Sequence, residues 1–168
     1  MDHDKYAVRK AIKEDCESIQ RLIQELADYE KMPNGPQLDP KTLEQDGFGT
    51  RPFFEAFVAV EKESNQIIGF ALYFFTYSTW QGKSLYMEDI YVQLQHRRKG
   101  VGLSLLRSVS QVALSENCVR LNFSVLNWNS PSIEFYKSLG ASDLTEKEGW
   151  HCFRMNRAEI EQLAQCKA

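Results

Sequence analysis

Between Val92 and Leu106 the chain passes from a β-rich run through a basic turn with two glycines into an amphipathic helix, and no other stretch limits the fold so strongly. The turn reads His96-Arg97-Arg98-Lys99-Gly100-Val101-Gly102. A helix start presents free N–H groups and the positive end of the helix dipole, which together attract phosphate. Glycine at 100 and 102 lets the backbone come close to an anion, and Arg97, Arg98 and Lys99 add positive charge. A P-loop is excluded because no Gly-Lys-Ser/Thr follows. A dinucleotide fingerprint is excluded too. Its third glycine would fall at Leu105, and the next strand ends in Val125-Leu126-Asn127 without a ribose-binding acid.

The rest of the pattern surrounds this junction. Tyr6 to Ala11 reads as a strand. Cys16, Ile19, Leu22, Ile23, Leu26 and Ala27 recur at helical spacing, from an acidic start at Lys13-Glu14-Asp15 to about Glu30. Met32 to Pro36 breaks that helix, and Asp39-Pro40 opens a short one ending near Gly47. Phe54 to Glu61, Ile67 to Tyr77 and Ser84 to Val92 read as three consecutive strands of an antiparallel meander. The rhythm then alternates: a helix from Gly102 to Asn117, a strand from Leu121 to Leu126, a helix from Pro131 to Leu139 closed by Gly140. A last strand from about Trp150 to Met155 and a terminal helix from Arg157 follow. The expectation is a mixed α/β (α+β) domain covering residues 1–168. Its twisted sheet has about six to seven strands with helices on both faces, antiparallel in its first half and parallel in the middle.

Composition narrows the function classes. A chain of 168 residues with 43% hydrophobic and 26% charged residues buries an ordinary core. A net charge of −3 does not point to nucleic acid, since neutralising phosphates needs a basic face. No apolar run approaches the roughly 20 residues of a membrane span, and no apolar segment follows Met1-Asp2-His3-Asp4-Lys5, so a cytoplasmic location is expected. Cys16, Cys118, Cys152 and Cys166 are scattered, which predicts free thiols and no metal site.

Arg97-x-x-Gly100-x-Gly102 at a strand-to-helix turn resembles the pyrophosphate loop of the GNAT acetyltransferase superfamily, which binds CoA. Asn127-Trp128-Asn129-Ser130-Pro131 through Phe135-Tyr136, then Leu139-Gly140-Ala141, resembles that superfamily's later motif. Taken alone, Asn129 reads equally well as a helix cap and Tyr136 as core. Gln24 to Glu30, Asp46-Gly47-Phe48-Gly49, Pro52-Phe53, Tyr86 to Val92 and Glu148-Gly149-Trp150 resemble the diamine acetyltransferases, a family of spermidine/spermine and thialysine N-acetyltransferases. Tyr77 to Lys83 and Asp143 to Glu146 are more similar to the thialysine branch. The polyamine branch has an acid and a proline at the places of Ser78 and Thr79.

The resemblance implies acetyl-CoA as cosubstrate, a small cationic amine as substrate, and a homodimer. It implies cofactor contacts from Ile90, Tyr91, Val92, Arg97, Arg98, Lys99, Gly100, Val101, Gly102, Leu103, Asn129 and Ser132. On the amine side it implies Tyr29, Glu30, Trp80, Glu88, Asp89, Asn122, Phe123 and Ser124, with Trp150 as a possible wall. An alkyl amine with a pKa near ~10.4 must lose a proton before it attacks. Glu88 and Asp89 are neighbours on a strand, so only one faces the pocket directly. The resemblance favours Glu88 as base, leaving Asp89 as a structural ion-pair partner. It makes Tyr136 the acid that protonates the leaving thiolate, and it expects an N–H near Ile90 to stabilise the developing negative charge. Two other readings stay open: a GNAT enzyme acting on a protein amine, and a non-catalytic CoA- or partner-binding module.

Overall fold

The computed structural model describes residues 5–166. They form two compact units divided after Ser124. The first unit holds β1 (Tyr6–Lys10), α1 (Cys16–Tyr29), α2 (Pro40–Phe48), β2 (Glu55–Glu61), β3 (Ile67–Ser78), β4 (Gly82–Val92), α3 (Val101–Ser115) and β5 (Leu121–Asn122). The second holds α4 (Ser130–Ser138), α5 (Leu144–Glu148) and α6 (Arg157–Gln165).

The sheet runs in the order β1-β2-β3-β4-β5. Its first four strands pair antiparallel, and β4 pairs with β5 parallel. The expected mixed fold is therefore present, with antiparallel strands first and a parallel pair after the crossover helix α3.

Alternation along the strands divides the core between two helices. Ala56, Val58, Phe70, Leu72 and Tyr91 meet Cys16, Ile19 and Leu22 of α1 and Leu43 of α2. Helix α3 packs on β1 to β4 and buries Val101, Leu105, Leu106, Val109 and Ala113. Tyr6 adds a hydrogen bond to Ser104 at 2.9 Å. At the β1–α1 junction Arg9 grips the buried Asp15 with two bonds of 2.6 and 2.9 Å. Burial pushes against ionisation of Asp15, but Arg9 and the Ile12 N–H hold its carboxyl below the usual range.

Three expectations need correction. The sheet has five strands among the described residues, not six to seven. β5 is two residues long, because β4 matches it only at Leu85↔Leu121 and Tyr86↔Asn122. Residues 150–155 are exposed coil rather than a strand. An apolar run becomes a strand only where another strand offers its N–H and C=O groups, and none pairs with these residues in the described structure. Helix α5 went unforeseen, although Asp143 caps it by accepting from Thr145 and Glu146 N–H, and Gly149 ends it with φ of 76°.

Candidate functional site

Helix α3 opens without a side-chain cap. Its N-cap residue is Gly100 in the left-handed region, φ 88° and ψ −2°, a conformation glycine adopts without strain. Ser104 N–H donates to Gly100 C=O at 3.0 Å. Helix geometry leaves the N–H groups of Val101, Gly102 and Leu103 without an intrahelical acceptor. Arg98, two residues before Gly100, is also left-handed at φ 63°, which curls the loop into a concave run of N–H groups. A Cβ on Gly102 would meet only the Val92 side chain, at 3.8 Å, so the space beside it is otherwise open. Three other helix starts are closed by a side chain: Asp39 caps α2, Asn129 caps α4 and Asp143 caps α5.

The three basic side chains of the loop part company. Lys99 Nζ donates to Gln95 C=O at 2.9 Å. Arg98 stands exposed, with no hydrogen bond or ion pair among the described residues. Arg97 turns inward. Its Nε donates to Val92 C=O at 2.9 Å, and its guanidinium lies 4.5 Å from the Tyr29 ring centroid and 5.3 Å from that of Tyr91.

Next to the loop, β4 carries a β-bulge. Leu72 opposes Asp89 and the adjacent Tyr73 opposes Met87, so Glu88 is the extra residue. A bulge bends its strand and re-aims side chains. On its other edge β4 is paired with β5 only as far as Tyr86. From Met87 to Val92 that edge has no strand partner among the described residues, which leaves the backbone groups of Ile90 and the N–H of Val92 available, the Val92 carbonyl being taken by Arg97. Tyr86 meets Ser124 through their hydroxyls at 2.7 Å, while Asn122 and Phe123 continue from the short β5.

The carboxylates gather where α1 ends. Glu88 is exposed. Asp89 is pushed up to about 6 by burial first and then by the charges of Glu88 and Glu30. Burial lifts Glu30 as well. The ion-pair role expected for Asp89 is not realised, since its charged neighbours are acids and no cation pairs with it among the described residues. Three carboxylates with no cation paired to them among the described residues favour an incoming one.

In the second unit Asn129 Oδ1 accepts from Ser132 N–H at 3.4 Å, so the capping role is real for both residues. Tyr136 lies one turn and a half into α4. Its carbonyl closes the helix, accepting from Ala141 N–H at 3.1 Å, while Gly140 N–H, with φ 94° at that residue, donates to Lys137 C=O, a Schellman ending. Burial pushes the Tyr136 phenol up to about 12, so it carries its proton at neutral pH.

Other expected residues sit differently from their neighbours. Trp80 is 84% exposed at the β3–β4 turn. Ser78, at the base of that turn, is buried, and its hydroxyl accepts from the N–H groups of Trp80 and Gln81 at 3.3 and 3.2 Å. Trp150 donates to Glu148 at 2.8 Å within the second unit. Sequence reasoning missed Glu25 and Gln93. Gln93 Nε2 donates to both Glu25 oxygens at 3.0 and 3.2 Å, and Tyr91 donates to Glu25 at 3.4 Å. Its visible sign was the Arg21, Glu25, Tyr29 ladder at four-residue spacing, which puts three polar groups on one helix stripe.

The model of the acetyltransferase (GNAT) family matches residues 6–141. Thialysine N-epsilon-acetyltransferase of Bos taurus is 43% identical over 163 residues, covering 94% of this chain and 96% of the relative. Spermidine/spermine N(1)-acetyltransferase-like protein 1 of Homo sapiens is 42% identical over 166 residues, covering 96% of this chain and 24% of that protein. Among solved structures, an integron cassette protein of V. cholerae aligns with a TM-score of 0.78 at 24% identity, covering 96% of this chain and 99% of the other. An aminoglycoside acetyltransferase from an uncultured soil metagenomic sample aligns with a TM-score of 0.74 at 17% identity, covering 92% and 99%. Both likenesses concern the fold.

Proposed function

The chain belongs to the acetyltransferase (GNAT) family, and from that premise we propose that it transfers the acetyl group of acetyl-CoA to a primary amine of a small cationic molecule, lysine-like amines such as thialysine first. The observation that carries the reading is the uncapped start of α3 beside the unpaired edge of β4, with Glu88, Asp89 and Glu30 gathered near the same strand. The donor set fits acetyl-CoA: free N–H groups and positive charge suit a diphosphate, and an open strand edge suits the amides of its arm.

Each group then has an assigned task. The backbone of Arg98, Lys99, Gly100, Val101, Gly102 and Leu103 holds the diphosphate. Ile90, Tyr91 and Val92 hold the arm, and the N–H near Ile90 faces the carbonyl oxygen that gains charge. Acetyl-CoA supplies the activated thioester. Glu30 and Asp89 hold the ammonium with help from Tyr29, Asn122, Phe123 and Ser124, while Trp80, at the far end of the β3–β4 hairpin, stands apart from them. Glu88, re-aimed by the bulge, takes the amine's proton directly or through water. Tyr136 returns a proton to the departing sulfur, and Asn129 and Ser132 align with it at the start of α4. A cytoplasmic location and assembly as a homodimer belong to the same reading.

Polyamines are the second reading, supported by the 42% identity to the spermidine/spermine acetyltransferase-like protein. An acetylation screen separates the two, with thiol release followed for thialysine, lysine, putrescine, spermidine, spermine and a lysine peptide. The expected result is a higher kcat/KM for thialysine than for spermidine. Robust spermidine turnover with poor thialysine turnover reverses the order, and peptide-only turnover or no turnover at all refutes the proposal.

A further inference from the structure

The inward turn of Arg97 has a consequence for how the two substrates communicate. Two separate ties fasten the last turns of α1 to the segment that leads into the cradle. One runs from Glu25 to Gln93 and Tyr91. The other runs from Tyr29 through the Arg97 guanidinium to Val92 C=O. Arg21 holds Glu25 from within the helix at 2.9 Å and bonds Ile67 C=O at 3.3 Å, which keeps the first tie in place. Tyr29 and Glu30 are adjacent, so holding Tyr29 in place also holds the backbone from which the Glu30 carboxylate projects.

A guanidinium in this position is badly placed to serve as a phosphate ligand. Its Nε–H is committed to a carbonyl, and its guanidinium carbon lies 4.5 and 5.3 Å from two aromatic ring centroids. Arginine suits such a post because it is planar, always charged and able to stack while donating hydrogen bonds. The neighbouring Arg98 is exposed and free to meet an anion.

We propose that Arg97 is a positioning residue that couples the cradle to the amine-holding end of α1, so that filling the cradle with CoA tightens the amine site. The proposal rests on the acetyltransferase reading and deepens it. Anion binding at 100–103 fixes the loop that begins at Arg97. A fixed Arg97 fixes Tyr29 and thereby Glu30. By linkage, amine bound at the α1 end tightens CoA to the same degree.

The test compares wild type with Arg97→Ala and Arg97→Gln. The glutamine variant keeps a donor for Val92 C=O while losing the charge over the rings. Calorimetry gives the Kd of CoA alone. Steady-state kinetics give the amine KM with acetyl-CoA and with acetyl-pantetheine, which lacks the diphosphate. Hydrogen exchange is followed at residues 26–32 and 100–104 with and without CoA. The expected result for Arg97→Ala is an amine KM raised about tenfold with acetyl-CoA and little changed with acetyl-pantetheine, which leaves the cradle empty in either protein, and a CoA Kd, measured without amine, within about twofold of wild type. Arg97→Gln should fall between. CoA should slow exchange in both segments of wild type, but only in 100–104 of Arg97→Ala. A CoA Kd raised tenfold or more would make Arg97 a phosphate ligand and overturn the proposal, and so would an amine KM raised equally with both donors, which would show that filling the cradle has no part in the effect. Slowed exchange at 26–32 in Arg97→Ala would also overturn it. Absence of turnover by wild type with any amine would count against the acetyltransferase reading, while the exchange pattern would still decide the role of Arg97.

Discussion

The start of α3 and the end of α1 are two helix termini of the same unit, finished in opposite ways. At α3 nothing caps the helix, and the N–H groups of Val101, Gly102 and Leu103 stay open. At α1 the last carbonyls are closed: Lys31 N–H donates to Asp28 C=O at 3.1 Å and Met32 N–H to Ala27 C=O at 2.8 Å. The first end is positive in both its dipole and its side chain Arg98. The second is negative in its dipole and in Glu30, with Asp89 in reach of that charge. An open positive end selects a diphosphate by its backbone. A closed negative end leaves only side chains to select a cation. On the proposed function, the contrast is what would let one small unit take two ligands of opposite charge without their exchanging places.

The strongest way to break the contrast is to fill the open end. Gly102→Val should raise the KM for acetyl-CoA roughly 100-fold, since displacing an anion from two N–H groups forfeits two charge-assisted bonds of ~1.5–3 kcal/mol each. The far-UV spectrum should stay that of wild type, and a normal KM in the folded variant would place the diphosphate elsewhere. Asp39→Ala is the matched control, because it uncaps α2, a helix outside the proposed cradle. It should lower Tm by a few degrees and leave the KM for acetyl-CoA unchanged.

At the negative end, Asp89→Asn should raise the amine KM about tenfold and change the dependence of stability on pH. The folded carboxyl titrates near about 6, above the ordinary value of 3.8. The native state therefore holds this proton more tightly than the unfolded chain, and Asp89 costs stability progressively as pH rises from about 4 to 6. The asparagine variant should be more stable than wild type by ~1–3 kcal/mol at pH 8 and by little at pH 4. Denaturant titrations at the two pH values check the sign. A variant less stable at pH 8 would show that Asp89 has a cation beside it.

The smallest effect sharpens the comparison at the closed end. Lys31 sits at φ 64°, where a side chain is strained. In α4 the same closing motif uses Gly140. Lys31→Gly should stabilise the protein by about 0.5–1 kcal/mol without altering the KM for acetyl-CoA, as measured by thermal unfolding and steady-state kinetics.

Much of this arrangement was legible before the fold. The spacing of Ile19, Leu22 and Ile23 marked α1, that of Leu105, Leu106 and Val109 marked α3, and Gly100 with Gly102 marked the open helix start, because each is a matter of local geometry. Three features were not local. The bulge at Glu88 depends on which residues of β3 face β4. The two-residue length of β5 and the coil at 150–155 depend on whether a neighbouring strand offers its hydrogen bonds. The inward course of Arg97 depends on Tyr29, 68 residues away in the chain, and on the Val92 carbonyl. By itself the sequence determined the longer helices, the antiparallel meander, the glycine turn that opens α3 and the family, since side-chain periodicity, glycine torsions and caps act over a few residues. Tertiary structure alone decided which basic side chain of the turn remains free, which carboxyl is desolvated and where pairing stops, because charge, burial and strand pairing are set by groups that only folding brings together.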